Sequence, residues 1–162
     1  MKPSKLTKVV GKKAKFLLPR FSAITWKGCV YCKRQEAADE INKTPEIDSQ
    51  LESHETIHIR QAESAHDSWF RFYVRYVWDW IKNLPLIFVN LYAPYKFEAM
   101  ELEAYLHQDE WDYCTHGAVS EWKEFEKIPM KEKHAWAKEY YGSKPKPYFT
   151  HFLQEKLKRT RG

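Results

Sequence analysis

The five residues His54-Glu55-Thr56-Ile57-His58 have the types and spacing from which a hydrolytic metal site is built. On an α-helix, which turns once per 3.6 residues, His54 and His58 stack on one face about 6 Å apart, close enough to bind a single ion. Glu55 follows the first imidazole directly. From there its carboxylate reaches a water held by the metal without itself being a ligand, and a zinc site needs this of its general base. Two imidazoles supply two ligands, whereas a catalytic zinc takes three from the protein and keeps one position for water. The third must lie elsewhere, and Glu98, Glu101, Glu103 and His107 are the nearest downstream candidates.

Positioning these groups takes two helices. The first is expected to begin between Pro45 and Gln50, after the loop Asn42-Lys43-Thr44-Pro45. Its apolar residues Leu51, Ile57 and Ile59 are too few to bury it deeply, and His54, Glu55, His58 and Gln61 share its inward arc. Such a polar inward face is costly unless something satisfies it, and a metal does so. The second helix is the breaker-free run from Phe97 to His107.

Between them the chain is intensely aromatic from Trp69 to Trp80 and reads as a long helix to Leu84, able to continue from the first. Its rings are expected to be core rather than substrate groove. Arg71, Arg75, Asp79, Lys82, Asn83 and Pro85 interrupt it, which argues against a membrane span, while the ring-rich face leaves peripheral membrane contact open. Leu86 to Leu91 reads as a further turn of helix or a short strand.

The 162 residues suggest one domain, 1–162, with a core of its own. The composition is 43% hydrophobic and 16% aromatic with five glycines, which is that of a globular chain. The net charge of +5 comes largely from the ends, residues 1–13 reading as a basic flexible arm and 143–162 as a basic C-terminal segment. These solvated tails give no reason to expect nucleic acid as a partner.

Strand-like runs at Lys15-Phe16-Leu17-Leu18, Ser22-Ala23-Ile24-Thr25-Trp26 and Cys29-Val30-Tyr31-Cys32, punctuated by Pro19 and Lys27-Gly28, predict a small antiparallel element. The Cys29/Cys32 pair lacks the second pair that a structural zinc site wants. With three cysteines and no apolar signal region, the expected compartment is the cytoplasm. Short helices are predicted at Lys33 to Ile41, Ala118 to Glu126 and Met130 to Tyr141. The loop Gly142 to Pro147 and a final basic helix from about Tyr148 to Lys158 follow.

The motif His54-Glu55-Thr56-Ile57-His58-Ile59-Arg60-Gln61, an aromatic helix, and then Met100-Glu101-Leu102-Glu103-Ala104-Tyr105 resemble the small gluzincin-type metallopeptidase-like proteins of bacteria. Those proteins carry an HExxHxxQ helix and an E-x-E-A-Y helix. The resemblance covers roughly residues 15 to 115. It implies an α+β, predominantly helical fold: a minimal zincin-like core with the small β element packed on the HExxH helix, and a second helix bearing a glutamate. In that pattern the third ligand is a glutamate on the second helix followed three positions later by a small residue, which aligns with Glu101 and Ala104. Glu103 and then Glu98 rank behind Glu101. Tyr105 stands where many gluzincins place an acid that orients a histidine ligand, so Gln61 or Glu103 takes that role.

The activity this implies is zinc-dependent hydrolysis, with a peptide or protein as substrate and a monomer as the working unit. Glu55 takes a proton from water and passes it to the leaving amine. Tyr92, Tyr95, Tyr105 and His107 are candidate donors to the oxyanion, and the strand region offers an edge to an extended peptide. The alternative is a catalytically inactive metal-binding or protein-interaction module on the same scaffold.

Overall fold

The computed structural model describes residues 1–17 and 22–161, and of 159–161 the backbone alone. Leu18 and Pro19, read from sequence as the end of a strand-like run and its punctuation, lie outside the described residues. The fold is α+β and predominantly helical, as expected. The chain forms two compact units, Met1–Trp69 with Gln108–Val119, and Phe70–His107 with Ser120–Gly162.

In the first unit three short strands, β1 (Val10–Lys13), β2 (Ala23–Trp26) and β3 (Cys29–Cys32), form a sheet in the order β1-β3-β2. β2 and β3 make the expected antiparallel hairpin. Its turn places Lys27 and Gly28 at φ 50° and 77°, the left-handed region that glycine enters without cost. β1 instead pairs with β3 in parallel, Val10 opposite Cys29. The reason is topological: the tight turn joins β2 to β3, so β1 is left to add to the free edge of β3 in the direction from which the chain arrives.

Helix α1 (Gln35–Asn42) packs on β1 and β3. The approach is close enough that a Cβ on Gly11 would stand 2.4 Å from the Ala38 carbonyl oxygen, so only glycine fits there. Asn42 seals the pair, donating from Nδ2 to the Gly11 carbonyl at 2.8 Å and accepting the Gly11 amide at 2.9 Å. Three residues apart on a strand, Cys29 and Cys32 point to opposite faces about 10 Å apart, too far for a disulfide. Burial pushes the Cys32 thiol above its ordinary range.

The basic N-terminal stretch, expected as a flexible arm, is instead built into this unit. Val9 is buried and its amide donates to Thr56 Oγ1 at 3.3 Å. Lys8 is also buried, its Nζ 3.1 Å from Glu52 and 2.9 Å from the Glu46 carbonyl. A run of lysines reads as solvated by composition, but Glu52 on the neighbouring helix supplies a buried counter-charge.

Helix α2 (Gln50–Ser64) carries the histidines. Ser49 caps it, accepting the Glu52 amide at 3.2 Å, and Glu52 turns back to accept the Asp48 amide at 3.1 Å, so polar side chains satisfy the first turn. α2 and the aromatic helix α3 (Trp69–Lys82) are separate rather than continuous. The break comes where His66 and Asp67 adopt φ 62° and 53°. Asp67 is held there by Ser4, whose amide and hydroxyl donate at 2.8 and 2.7 Å. Those bonds hold the Asp67 carboxyl below its usual range.

In the second unit the expectation that the α3 rings form core holds for one face only. Phe72 is buried and Tyr76 partly so, whereas Phe70 is 77% exposed and Trp78 61%. A 3-10 turn, Leu84–Phe88, and the single turn α4 (Ala93–Lys96) lead to α5 (Ala99–His107). The stretch Leu86 to Leu91 thus contains neither strand nor α-helix. Helices α6 (Trp122–Phe125), α7 (Met130–Gly142) and α8 (Phe149–Arg161) complete the unit, α5 packing on α6 and α8. No helix of the described residues is long and apolar enough to cross a membrane.

A buried polar network fixes the start of α5. Asp79 on α3 accepts the Ala99 amide at 2.8 Å, and Asn83 donates to the Phe97 carbonyl at 2.9 Å. Lys133 of α7 reaches both, 3.5 Å from Asp79 and 3.2 Å from Asn83 Oδ1. Burial pulls this ammonium below the ordinary lysine range, with Asp79 and Glu98 opposing. Replacing Lys133 with Met removes the buried partner of Asp79 and leaves it Lys82, 2.9 Å away and partly exposed. The expected cost is about 3 kcal/mol, read by chemical denaturation.

Candidate metal centre

The first two members of the site are fixed by the rise and turn of α2. The rings of His54 and His58 lie with centroids 5.1 Å apart in an edge-to-face arrangement. His54 is buried and His58 half-buried. Each imidazole has a glutamine carbonyl against its Nδ1: Gln108 Oε1 at 3.2 Å from His54, and Gln61 Oε1 at 2.7 Å from His58. An amide oxygen only accepts, so an imidazole bonded to it donates from Nδ1, and in the neutral ring this leaves Nε2 with its lone pair. This is the tautomer a metal-binding histidine requires, and such a partner normally fixes it.

Glu101 is the third member. One ligand atom from each of His54, His58 and Glu101 lies within 4.8 Å of the others, an arrangement that could hold a metal ion. Glu101 is 2% exposed, and a carboxylate so deeply buried gains most from a cation.

The second unit holds Glu101 in place from two sides. Its amide donates to Glu98 Oε2 at 2.9 Å, so Glu98 caps the first turn of α5. Its Oε1 accepts a hydrogen bond from Tyr76 of α3 at 2.8 Å. Burial above all, and the Glu101 charge after it, push the Tyr76 hydroxyl far above its ordinary range, so it remains the donor. Lys96 is near enough for Glu101 to oppose the lowering that burial imposes on its ammonium.

The remaining candidates are otherwise engaged. Glu103 is fully buried and accepts the Glu121 amide at 2.8 Å, at the entry to α6. The Tyr105 ring lies against Phe149, 5.1 Å between centroids, with the Lys96 ammonium 4.5 Å from its own centroid. His107 Nε2 is 2.9 Å from Glu121, and Tyr92 is exposed. Glu55, next to His54, is half-buried and its carboxylate makes no hydrogen bond or ion pair among the described residues.

Tyr76 was not among the candidates taken from sequence, hidden by the nine other aromatic or apolar residues of its helix. A signal exists: Phe72, Tyr76, Asp79 and Asn83 follow helical spacing on the inward side of α3, and three of the four are polar. Removing the hydroxyl with Tyr76→Phe is expected to weaken metal affinity by about 10- to 100-fold, measured by competition with a chromophoric chelator.

No protein-family model, curated protein or solved structure matches the chain. The gluzincin resemblance therefore rests on the motifs alone, and what stands independently of it is the cluster of His54, His58 and Glu101.

Proposed function

We propose that this protein is a zinc-dependent hydrolase acting on peptide bonds, with His54, His58 and Glu101 as the metal ligands and Glu55 as the general base. The observation that carries the reading is the cluster itself, two imidazoles and a buried carboxylate, with Glu55 next to His54 in sequence and in no hydrogen bond or ion pair among the described residues. Two nitrogen donors and one oxygen donor form the set that catalytic zinc favours, three protein ligands with a position left for water. Zinc held there would supply a Lewis acid for the scissile carbonyl and acidify a water.

The chain's own residues do the rest. Gln108 and Gln61 orient the two imidazoles, and Tyr76 and Glu98 hold Glu101. Glu55, in no ion pair among the described residues, takes a proton from water and returns it to the leaving amine. β2 is an edge strand of the sheet, with Ile24 and Trp26 half exposed, and suits an extended peptide added by backbone pairing.

The test is digestion of a broad peptide mixture by the zinc-loaded protein, read by mass spectrometry. New termini that vanish with a chelator, return with zinc and are missing from Glu55→Gln protein support the reading. Metal-loaded protein that leaves every peptide intact makes this a metal-binding module without turnover.

A further inference from the structure

The exposed face of α3 departs from ordinary surface chemistry in the number of large apolar side chains it leaves bare. At about 100° per residue, Phe70, Tyr73, Val74, Val77, Trp78 and Ile81 fall in a stripe about 140° wide. Together they line a shallow groove of about 430 Å³. Phe70, Val74, Val77, Trp78 and Ile81 are 77%, 53%, 49%, 61% and 43% exposed. The apolar surface they present is on the order of 500 Å², at the upper end of what a monomer leaves bare. The exposure continues along the chain: Phe88 is 92% exposed, and Leu91 and Tyr92 69% each.

Charge decides what covers this face. By the same helical angle Arg71, Arg75 and Lys82 lie within about 40° of one another, along the edge of the stripe next to Trp78. All three are exposed. The one carboxylate of α3, Asp79, is buried on the opposite side. Arg75 and Lys82 do reach carboxylates, Glu126 at 3.3 Å and Asp79 at 2.9 Å, but the basic ridge still faces solvent. Pairing of this face with a second copy would set stripe on stripe and bring the ridge no acid of its own helix. An aromatic face with cations along its edge is the pattern of a helix lying in the headgroup region of an anionic bilayer. With 14 residues α3 is about 21 Å long, shorter than the roughly 30 Å hydrocarbon core, so it would lie on the membrane rather than cross it.

We propose that the outward face of α3, with Phe70 and Trp78 as its anchors and Arg71, Arg75 and Lys82 as its basic edge, docks the protein on an anionic phospholipid surface. The experiment is co-sedimentation of the full chain with vesicles of phosphatidylcholine containing about 30% phosphatidylglycerol, alongside vesicles of phosphatidylcholine alone. Wild type is expected to partition onto the anionic vesicles. The double variant Phe70→Gln, Trp78→Gln should bind at least tenfold more weakly. The triple variant Arg71→Gln, Arg75→Gln, Lys82→Gln should lose about 100-fold on anionic vesicles and little on neutral ones. Quenching of wild-type tryptophan fluorescence by brominated lipid gives a readout that needs no variant. Absence of wild-type binding, or full binding by the double variant, overturns the proposal. So does a concentration-dependent dimer that Phe70→Gln, Trp78→Gln abolishes in protein that ignores vesicles, since the occupant is then a second copy.

Discussion

Glu55→Gln protein is expected to bind zinc as tightly as wild type and to lose peptide hydrolysis by about 10²- to 10⁴-fold, the range supplied by a positioned general base. The separation of the two effects follows from where Glu55 sits. It neighbours His54 on α2 but is not part of the ligand cluster, and no hydrogen bond or ion pair among the described residues depends on it. The amide is nearly the same size, so the helix and the two imidazoles keep their places. What disappears is the ability to take a proton. The loss should fall on kcat, with KM little changed, because the missing group acts in the transition state and not in substrate binding. Steady-state kinetics on any peptide found cleaved, beside a zinc titration of the same preparation, checks both halves.

The second large effect concerns the metal itself. Binding of structural zinc is worth about 10–16 kcal/mol over four ligands, so one ligand accounts for about 2.5–4 kcal/mol. His54→Ala is therefore expected to weaken zinc binding by about 10²- to 10³-fold. The same change tests whether the ion contributes to folding. A ligand that binds only the folded chain stabilises it by about 4 kcal/mol at a thousand times its Kd. Zinc should thus raise the Tm of wild type clearly and that of His54→Ala at the same free concentration much less. His54 is buried against Gln108, so the variant leaves a small polar cavity, and its metal-free Tm serves as the baseline.

The parts of this picture that could be read from sequence are those governed by fixed geometry. Helical spacing alone sets His54 beside His58, and the breaker-free run from Phe97 to His107 is helical from Ala99 onward. What escaped was decided by tertiary partners. Lys8 is buried because Glu52 waits on a helix more than forty residues away, and composition cannot reveal that. The break between α2 and α3 depends on Asp67 being caught by Ser4, a contact across 63 residues. The role of Tyr76 is masked by its neighbours, and sequence places the rings of α3 in the core because burial is the usual fate of such residues. Their exposure reflects a face that no other described segment of the second unit covers. The parallel pairing of β1 was missed for a related reason: alternation predicts strands, but the direction of a partner depends on the path of the chain between them.

Metal content measured on purified protein tests most directly whether His54, His58 and Glu101 together hold one metal ion. Wild type, His58→Ala, Glu101→Ala and Glu103→Gln should be loaded with zinc, desalted and analysed by inductively coupled plasma mass spectrometry. One zinc per chain is expected in wild type and in Glu103→Gln, and little or none in His58→Ala and Glu101→Ala. Wild-type protein without stoichiometric metal, or zinc that survives Glu101→Ala and is lost from Glu103→Gln, would contradict the account.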